Sequence, residues 1–196
     1  MKFDLRPKID YQVQAGIVCA HIPFIKTVLW KGLKAHTREE SNMGTEIERK
    51  FLVKNQSWRS RAAGVKYRQG YLNSARERTV RVRAVDDKGF LTIKSVATGA
   101  TRQEYEYEIP LADAEAMLGD LCEKPLIVKA RYKIHFGGRV WEVDEFFGDN
   151  RGLILAEVEL AREKQKFEKP PWVGQEVTGD PRYFNSNLVR HPYGKW

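Results

Sequence analysis

This chain is short of cysteine, histidine and long apolar runs. Two cysteines and four histidines are spread over 196 residues. Cys19 and Cys122 make neither a disulfide framework nor a CxxC zinc site, and His21, His36, His135 and His191 are too scattered for a His-based metal site or a catalytic triad. Lys, His or Pro interrupts every apolar stretch before the ~18 residues of a membrane span. Asp4, Pro7 and Asp10 break the basic-then-apolar pattern of a signal peptide. Repeats and low-complexity tracts are lacking. No block of five like charges occurs and no RNP, KH or helix-turn-helix signature does, so a net charge of +8 does not by itself point to nucleic acid. The expectation is a soluble, reduced, cytoplasmic protein with no membrane or nucleic-acid partner.

What is present changes character at Met43. Residues 1–42 show poor periodicity; KFDLRPKIDYQVQ suits a short strand and Phe24–His36 a short amphipathic helix. They are expected to be a poorly structured extension to a folded domain over 43–196. Met43-Gly44-Thr45 supplies a suitable initiator, so an upstream start codon is the first explanation of the extension and an accessory segment the second. Past Met43, strand-like runs recur between turn residues: Thr45–Val53, Val65–Leu72, Arg78–Val85, Phe90–Val96, Arg102–Ile109, Leu126–Phe136, Arg139–Phe147 and Leu153–Leu160. Asp86-Asp87-Lys88-Gly89 and Gly137-Gly138 read as hairpin turns. Helices are expected over Asp113–Leu121, Ala161–Lys169 and Pro181–Val189. Trp172, beside Pro170-Pro171, reads as a packed plug, Cys122 as an inert small hydrophobe, and Arg182, Tyr183 and Asn185 as closing one end of the fold.

Residues i, i+2 and i+4 share a strand face, and nearly every run carries its charges on one face. Glu46, Glu48 and Lys50 oppose Ile47, Phe51 and Val53. Arg81 and Arg83 oppose Val80 and Val82, and Lys94 opposes Ile93. Glu104, Glu106 and Glu108 oppose Tyr105, Tyr107 and Ile109. Lys129, Arg131 and Lys133 oppose Val128 and Tyr132, Glu142 and Asp144 oppose Trp141 and Val143, and Glu157 and Glu159 oppose Ala156 and Val158. A solvated sheet face accounts for any one strand, but it gains nothing from segregating like charges strand by strand. An eight-stranded barrel with the charged face inward accounts for all of them. Its lumen requires water and a charged ligand, because unpaired buried charge costs several kcal/mol per ion. Carboxylate clusters without His or Cys suit Mg²⁺ or Mn²⁺, and Arg and Lys clusters suit phosphate oxygens.

Glu46-Ile47-Glu48-Arg49-Lys50 matches the ExExK signature of the CYTH superfamily, the triphosphate tunnel metalloenzymes. RQGYL (68–72), TVRVR (79–83), LTIKS (91–95), RQEYEYEI (102–109), KARY (129–132), WEVDEF (141–146), LAEVEL (155–160) and EVTGDPRYFN (176–185) follow in order. From Thr45 to Pro192 the chain most resembles the short bacterial members, often called inorganic triphosphatases. The resemblance implies a mostly β (α+β) fold, an eight-stranded antiparallel closed barrel with a few flanking helices, which hydrolyses a triphosphate with Mg²⁺ or Mn²⁺ at two sites. By motif, Glu46, Glu48, Asp144, Glu157 and Glu159 are the metal-side carboxylates. Glu104 and Glu106, with Asp144, match acidic positions that help hold a metal or order the attacking water. Lys50, Arg81, Arg83, Lys94, Lys129 and Arg131 match the phosphate-binding cations, and Lys94 and Lys129 are further assigned to catalysis.

Tripolyphosphate is the expected substrate, because long insertions are lacking. An adenylate cyclase or a thiamine-triphosphatase would use the same tunnel with added aromatics, for which Tyr67, Tyr71, Phe90 and Trp141 are the available residues, although aromatics at strand positions more often pack in a core. A non-catalytic polyphosphate-binding module needs the cations but not the placed carboxylates. The chain is expected to be a monomer or a homodimer.

Overall fold

A computed structural model describes residues 45–196. The expectations for residues 1–42 lie outside them. Eight antiparallel strands form the wall: β1 (Thr45–Val53), β2 (Val65–Asn73), β3 (Arg78–Val85), β4 (Lys88–Ser95), β5 (Thr101–Ile109), β6 (Ile127–Phe136), β7 (Arg139–Phe146) and β8 (Ile154–Glu159). Their order is β5-β4-β3-β2-β6-β7-β8-β1, and β1 pairs back to β5, closing the barrel. Closure ties the two end strands together, although residues 104–109 of β5 pair only with β4 among the described residues. The β3–β4 turn is Asp86-Asp87, with Asp86 at φ 50°, and the β6–β7 turn is Gly137-Gly138, at φ 57° and 71°. Both suit the twist of a two-residue hairpin.

The closing seam is short. Only Thr45–Ile47 pair with Thr101–Gln103. Farther along β1 the same edge is taken by a ninth strand, β9 (Val173–Glu176), which sequence periodicity missed because four residues are too few to show a period. Beyond β9, the Lys50 amide donates to Thr178 Oγ1 at 3.1 Å and the Lys50 carbonyl accepts from the Val177 amide at 2.8 Å. The seam thus pulls the C-terminal segment against the barrel.

Apolar residues on the outer wall are covered from two sides. Helix α1 (Leu111–Asp120) lays Ala114 and Leu118 on Val82 and Ala84. Gly89 lets it approach, since a Cβ there would meet the Ala114 Cβ at 2.7 Å. On the other side Trp58, Trp172 and Phe167 pack over Phe51, Trp141 and Val158, with the Trp141 and Trp172 ring centres 5.8 Å apart. Trp172 is buried as expected, on the outer wall.

Ala161–Lys169 is not a helix. Its good helix formers carry Phe167 as their one large apolar side chain, so a helix there has no apolar face to bury. The segment instead runs across the barrel and seats Phe167 between Phe51 and Trp141. The helix expected over Pro181–Val189 is split into a 3₁₀ turn (Pro181–Tyr183) and α2 (Asn185–Arg190). Val177, Tyr183, Leu188 and Val189 pack against the lumen-facing Tyr71, Ile127, Phe146 and Leu155, filling one end of the lumen. Of the residues expected to close an end, Tyr183 is buried there, whereas Arg182 is exposed and paired with Asp180.

Candidate active site

Strand register puts the charged faces inward together. Lys50 stands opposite Glu157, Arg83 opposite Phe90, Thr92 opposite both Arg81 and Glu106, and Arg131 opposite Asp144. The result is a cavity of about 820 Å³ lined by seven cationic and seven anionic side chains. Among the described residues no three acidic, histidine or cysteine side chains are gathered as a ready-made metal cluster. The carboxylates are instead turned onto lysines and arginines.

These pairs form three groups. Lys50 bonds Glu157 and lies 3.0 Å from Glu48. Burial alone would lower its ammonium pKa, but Glu157 and Glu48 more than reverse this and hold it above the usual lysine value. Glu157 also accepts from Arg131 at 2.8 Å; burial opposes its charge, yet Lys50, Arg131 and Lys129 keep the carboxyl well below its ordinary range. In the second group Lys94 lies 3.1 Å from Glu46 and 2.6 Å from Glu104. Burial and the charge of Arg81 outweigh those carboxylates and leave the Lys94 pKa lowered. In the third, Glu106 accepts from Arg83 at 2.8 Å and from the Thr92 hydroxyl at 2.8 Å, and lies 3.4 Å from Arg81.

Glu159 differs from the rest. It has no salt bridge among the described residues and stands directly opposite Glu48 across the β1–β8 pair. Partial burial, then the charges of Glu46, Glu104, Glu142 and Glu48, push its carboxyl above the usual range. Like charges directly opposed across a sheet repel.

Eleven of the thirteen site residues assigned by motif line this cavity: Lys50, Arg81, Arg83, Lys94, Arg131, Glu46, Glu48, Glu104, Glu106, Glu157 and Glu159. Lys129 and Asp144 belong to the same face but do not line it. Asp144 is fully buried, bonds Lys129, and takes Arg131 at 2.6 and 2.7 Å. The Lys129 ammonium lies 5.6 and 5.9 Å from the Phe146 and Tyr67 rings. Burial, then Arg131, outweigh Asp144 and bring its pKa to about 8. Glu142 lines the cavity and bonds Arg131, whereas Glu108 and Lys133 are solvent-exposed and pair with Lys88 and Glu142.

Sequence reasoning missed Arg102, Arg76 and Thr92. Arg102 shares the parity of Glu104 and Glu106, and that signal was enough to find it. Its guanidinium bonds Glu46 and is held above the usual arginine range, because Glu46 and Glu48 overcome the cost of burial. Of the aromatics considered for a substrate platform, Trp141 packs in the outer core, Tyr67 and Phe90 lie beneath Arg83, and Tyr71 lines the cavity.

A closed antiparallel barrel with carboxylates and cations sorted around one internal cavity is the architecture of a triphosphate tunnel. A family model described as the CYTH domain matches residues 44–193, and the chain belongs to that family. It is 57% identical over 151 residues to an inorganic triphosphatase of Acetivibrio thermocellus, covering 77% of this chain and 97% of that one. It is 40% identical over 149 residues to an inorganic triphosphatase of Nitrosomonas europaea, covering 74% and 97%. A crystal structure of an inorganic triphosphatase superposes with a TM-score of 0.53 at 37% identity, over 75% of this chain and 95% of that one. Among the described residues no helix is long and apolar enough to cross a membrane.

Proposed function

We propose that this protein hydrolyses inorganic tripolyphosphate to pyrophosphate and phosphate within the barrel, together with Mg²⁺ or Mn²⁺. The observation that carries this reading is the paired lining of the cavity: Arg81, Arg83, Lys94 and Arg131 each rest on a carboxylate that a phosphate oxygen can replace. The 57% identity to an inorganic triphosphatase over nearly its whole length supports the choice of substrate.

The residues fit a divalent cation. Glu159, crowded by Glu46, Glu48, Glu104 and Glu142, belongs to a set of hard oxygen donors whose mutual repulsion such an ion relieves. Glu46, Glu48, Glu157 and Glu159 would hold it. Bound there, it supplies Lewis-acid polarisation of phosphate oxygens and a lowered pKa for water.

This chain's own side chains do the positioning on which phosphoryl transfer mostly depends. Arg81 and Arg83, aimed by Glu106, grip one end of the triphosphate. Arg131 and Lys50 face them from β6 and β1. The Lys94 ammonium, with its pKa lowered, donates a hydrogen bond at the bridging oxygen and steadies the charge that develops on the leaving pyrophosphate. Glu104 holds Lys94 in place. Asp144 and Lys129 support Arg131 from behind the wall. Because the free cations and carboxylates neutralise one another, phosphate entry releases the carboxylates that the metal needs, so the two ligands bind with positive coupling.

The test is phosphate release from tripolyphosphate with Mg²⁺ or Mn²⁺, with ATP and thiamine triphosphate in parallel. Tripolyphosphate is expected to give the highest kcat/KM, and excess EDTA to abolish turnover. Cyclic AMP formation from ATP without tripolyphosphate turnover refutes the reading.

A further inference from the structure

Gln69 is fully buried at the centre of β2, and nothing in the mechanism above uses it. It shares the lumen face with Tyr67 and Tyr71, and register sets it directly beside Arg83 and diagonal to Arg81. Neither its amide oxygen nor its amide nitrogen meets a hydrogen-bond partner among the described residues. The Nε atoms of Arg81 and Arg83 are equally enclosed and equally without a partner there, although the Nη2 atoms of both are held by Glu106. Four orphaned polar atoms thus lie on adjacent lumen positions of two paired strands. Buried polar groups are rarely left so, and a leucine would fill this site at no polar cost.

We propose that Gln69 is a positioning residue for the phosphate grip and acts through one internal water. For three of these four atoms the hydrogen-bond inventory closes on that arrangement, while the Gln69 amide nitrogen keeps no partner among the described residues. A water accepts from the two Nε–H groups and donates to the Gln69 amide oxygen, giving it the three partners typical of a buried water. Each guanidinium is then fixed at two points, Glu106 at Nη2 and the water at Nε, so its plane cannot turn about the Cδ–Nε bond. The remaining N–H groups stay aimed into the cavity, where rigid placement of donors sets affinity for a polyanion. Gln69 does not line the cavity and does not touch the substrate.

This inference rests on the triphosphatase reading, and the experiment separates the two. Wild-type protein, Gln69→Leu and Gln69→Glu are compared for kcat, KM and melting temperature with tripolyphosphate. Gln69→Leu is expected to raise KM at least tenfold, to change kcat less than threefold, and to keep or raise the melting temperature, because the buried amide nitrogen, which the water leaves without a partner, is replaced by an apolar group. Gln69→Glu restores an acceptor and is expected to recover KM to within about threefold of wild type. A merely structural role predicts the reverse: Gln69→Leu then loses activity only in step with stability, and the added buried charge of Gln69→Glu is the more harmful change. Should Gln69→Leu fail to fold, the unbranched Gln69→Met carries the same comparison. An active wild type with an unchanged KM in the apolar variant overturns this inference alone, whereas an inactive wild type overturns the triphosphatase reading. A high-resolution crystal structure of the wild type decides independently: a water within hydrogen-bond distance of Gln69 Oε1 and both Nε atoms is expected, and apolar contact in its place refutes the proposal.

Discussion

Replacing Lys129 with methionine is expected to make the protein more stable and nearly inactive. Lys129 is 1% exposed, and its pKa of about 8 stands against an ordinary 10.5. Holding its proton near neutral pH therefore costs the folded state about 3 kcal/mol relative to the unfolded chain. That figure already contains the attraction of Asp144, which keeps Arg131 as its other cation. Methionine fills a similar volume and sits well beside the Tyr67 and Phe146 rings. A gain of about 3 kcal/mol corresponds to a rise in melting temperature of about 6–12 °C for a domain of this size.

The pH dependence gives the argument its sharper edge. Between about pH 8 and 10.5 the unfolded chain still binds a proton at Lys129 and the folded chain does not. Wild-type stability from this group therefore rises with pH across that window, and the methionine variant lacks the rise. In urea denaturation, the stability gap seen at pH 7 should close by about 2 kcal/mol by about pH 9.5. Turnover of tripolyphosphate should fall at least about a hundredfold at every pH, about 2.7 kcal/mol of transition-state stabilisation. A variant less stable than wild type at pH 7, or a gap that does not narrow with pH, refutes the reasoning.

Glu159→Gln is expected to raise the Mg²⁺ or Mn²⁺ concentration for half-maximal activity at least tenfold while leaving the fold intact, as read by metal titration and circular dichroism; an unchanged titration removes Glu159 from the metal site. Arg102→Gln removes a bond to Glu46 and leaves Lys94 as that carboxylate's remaining cation among the described residues, so kcat/KM should drop about tenfold or more (about 1.4 kcal/mol), with steady-state kinetics as the check. Glu157→Ala takes a carboxylate from both Lys50 and Arg131, which keep Glu48 and Asp144 respectively, so the cost should be about 1–3 kcal/mol, below that of a fully broken buried pair; thermal melts should show this destabilisation, and an unchanged melting temperature contradicts the pairing. A chain beginning at Met43 keeps all of β1 and the family match, and it is expected to retain the melting temperature and kcat/KM of the full chain.

Alternation along the sequence carries much of this site, because a closed barrel gives every strand the same two faces. Once Ile47, Phe51, Val82 and Val158 are read as outward-packing, parity places Glu46, Lys50, Arg81 and Glu157 on the lumen without reference to any neighbour. Composition adds the chemistry: with so few histidines and cysteines, oxygen donors and cations were the groups left to act. Parity says nothing of depth along the barrel axis. That is why Lys129 and Asp144, on the same face as Arg131 and Glu142, end up enclosed behind the cavity, and why Lys133 and Glu108 end in solvent.

Depth depends on the stagger between strands and on which end is filled. The filling comes from Val177, Tyr183 and Leu188, more than a hundred residues from the Tyr71 they pack against. The same distance in sequence hid β9, which forms because the seam of β1 needs a partner beyond Ile47. It hid the irregular path of 161–169 as well, where seating Phe167 against Phe51 and Trp141 outweighs local helix propensity. The sequence determined which residues face inward and what chemistry they offer. Only the tertiary structure decided which of them reach the cavity, because that depends on contacts the chain makes with itself across its whole length.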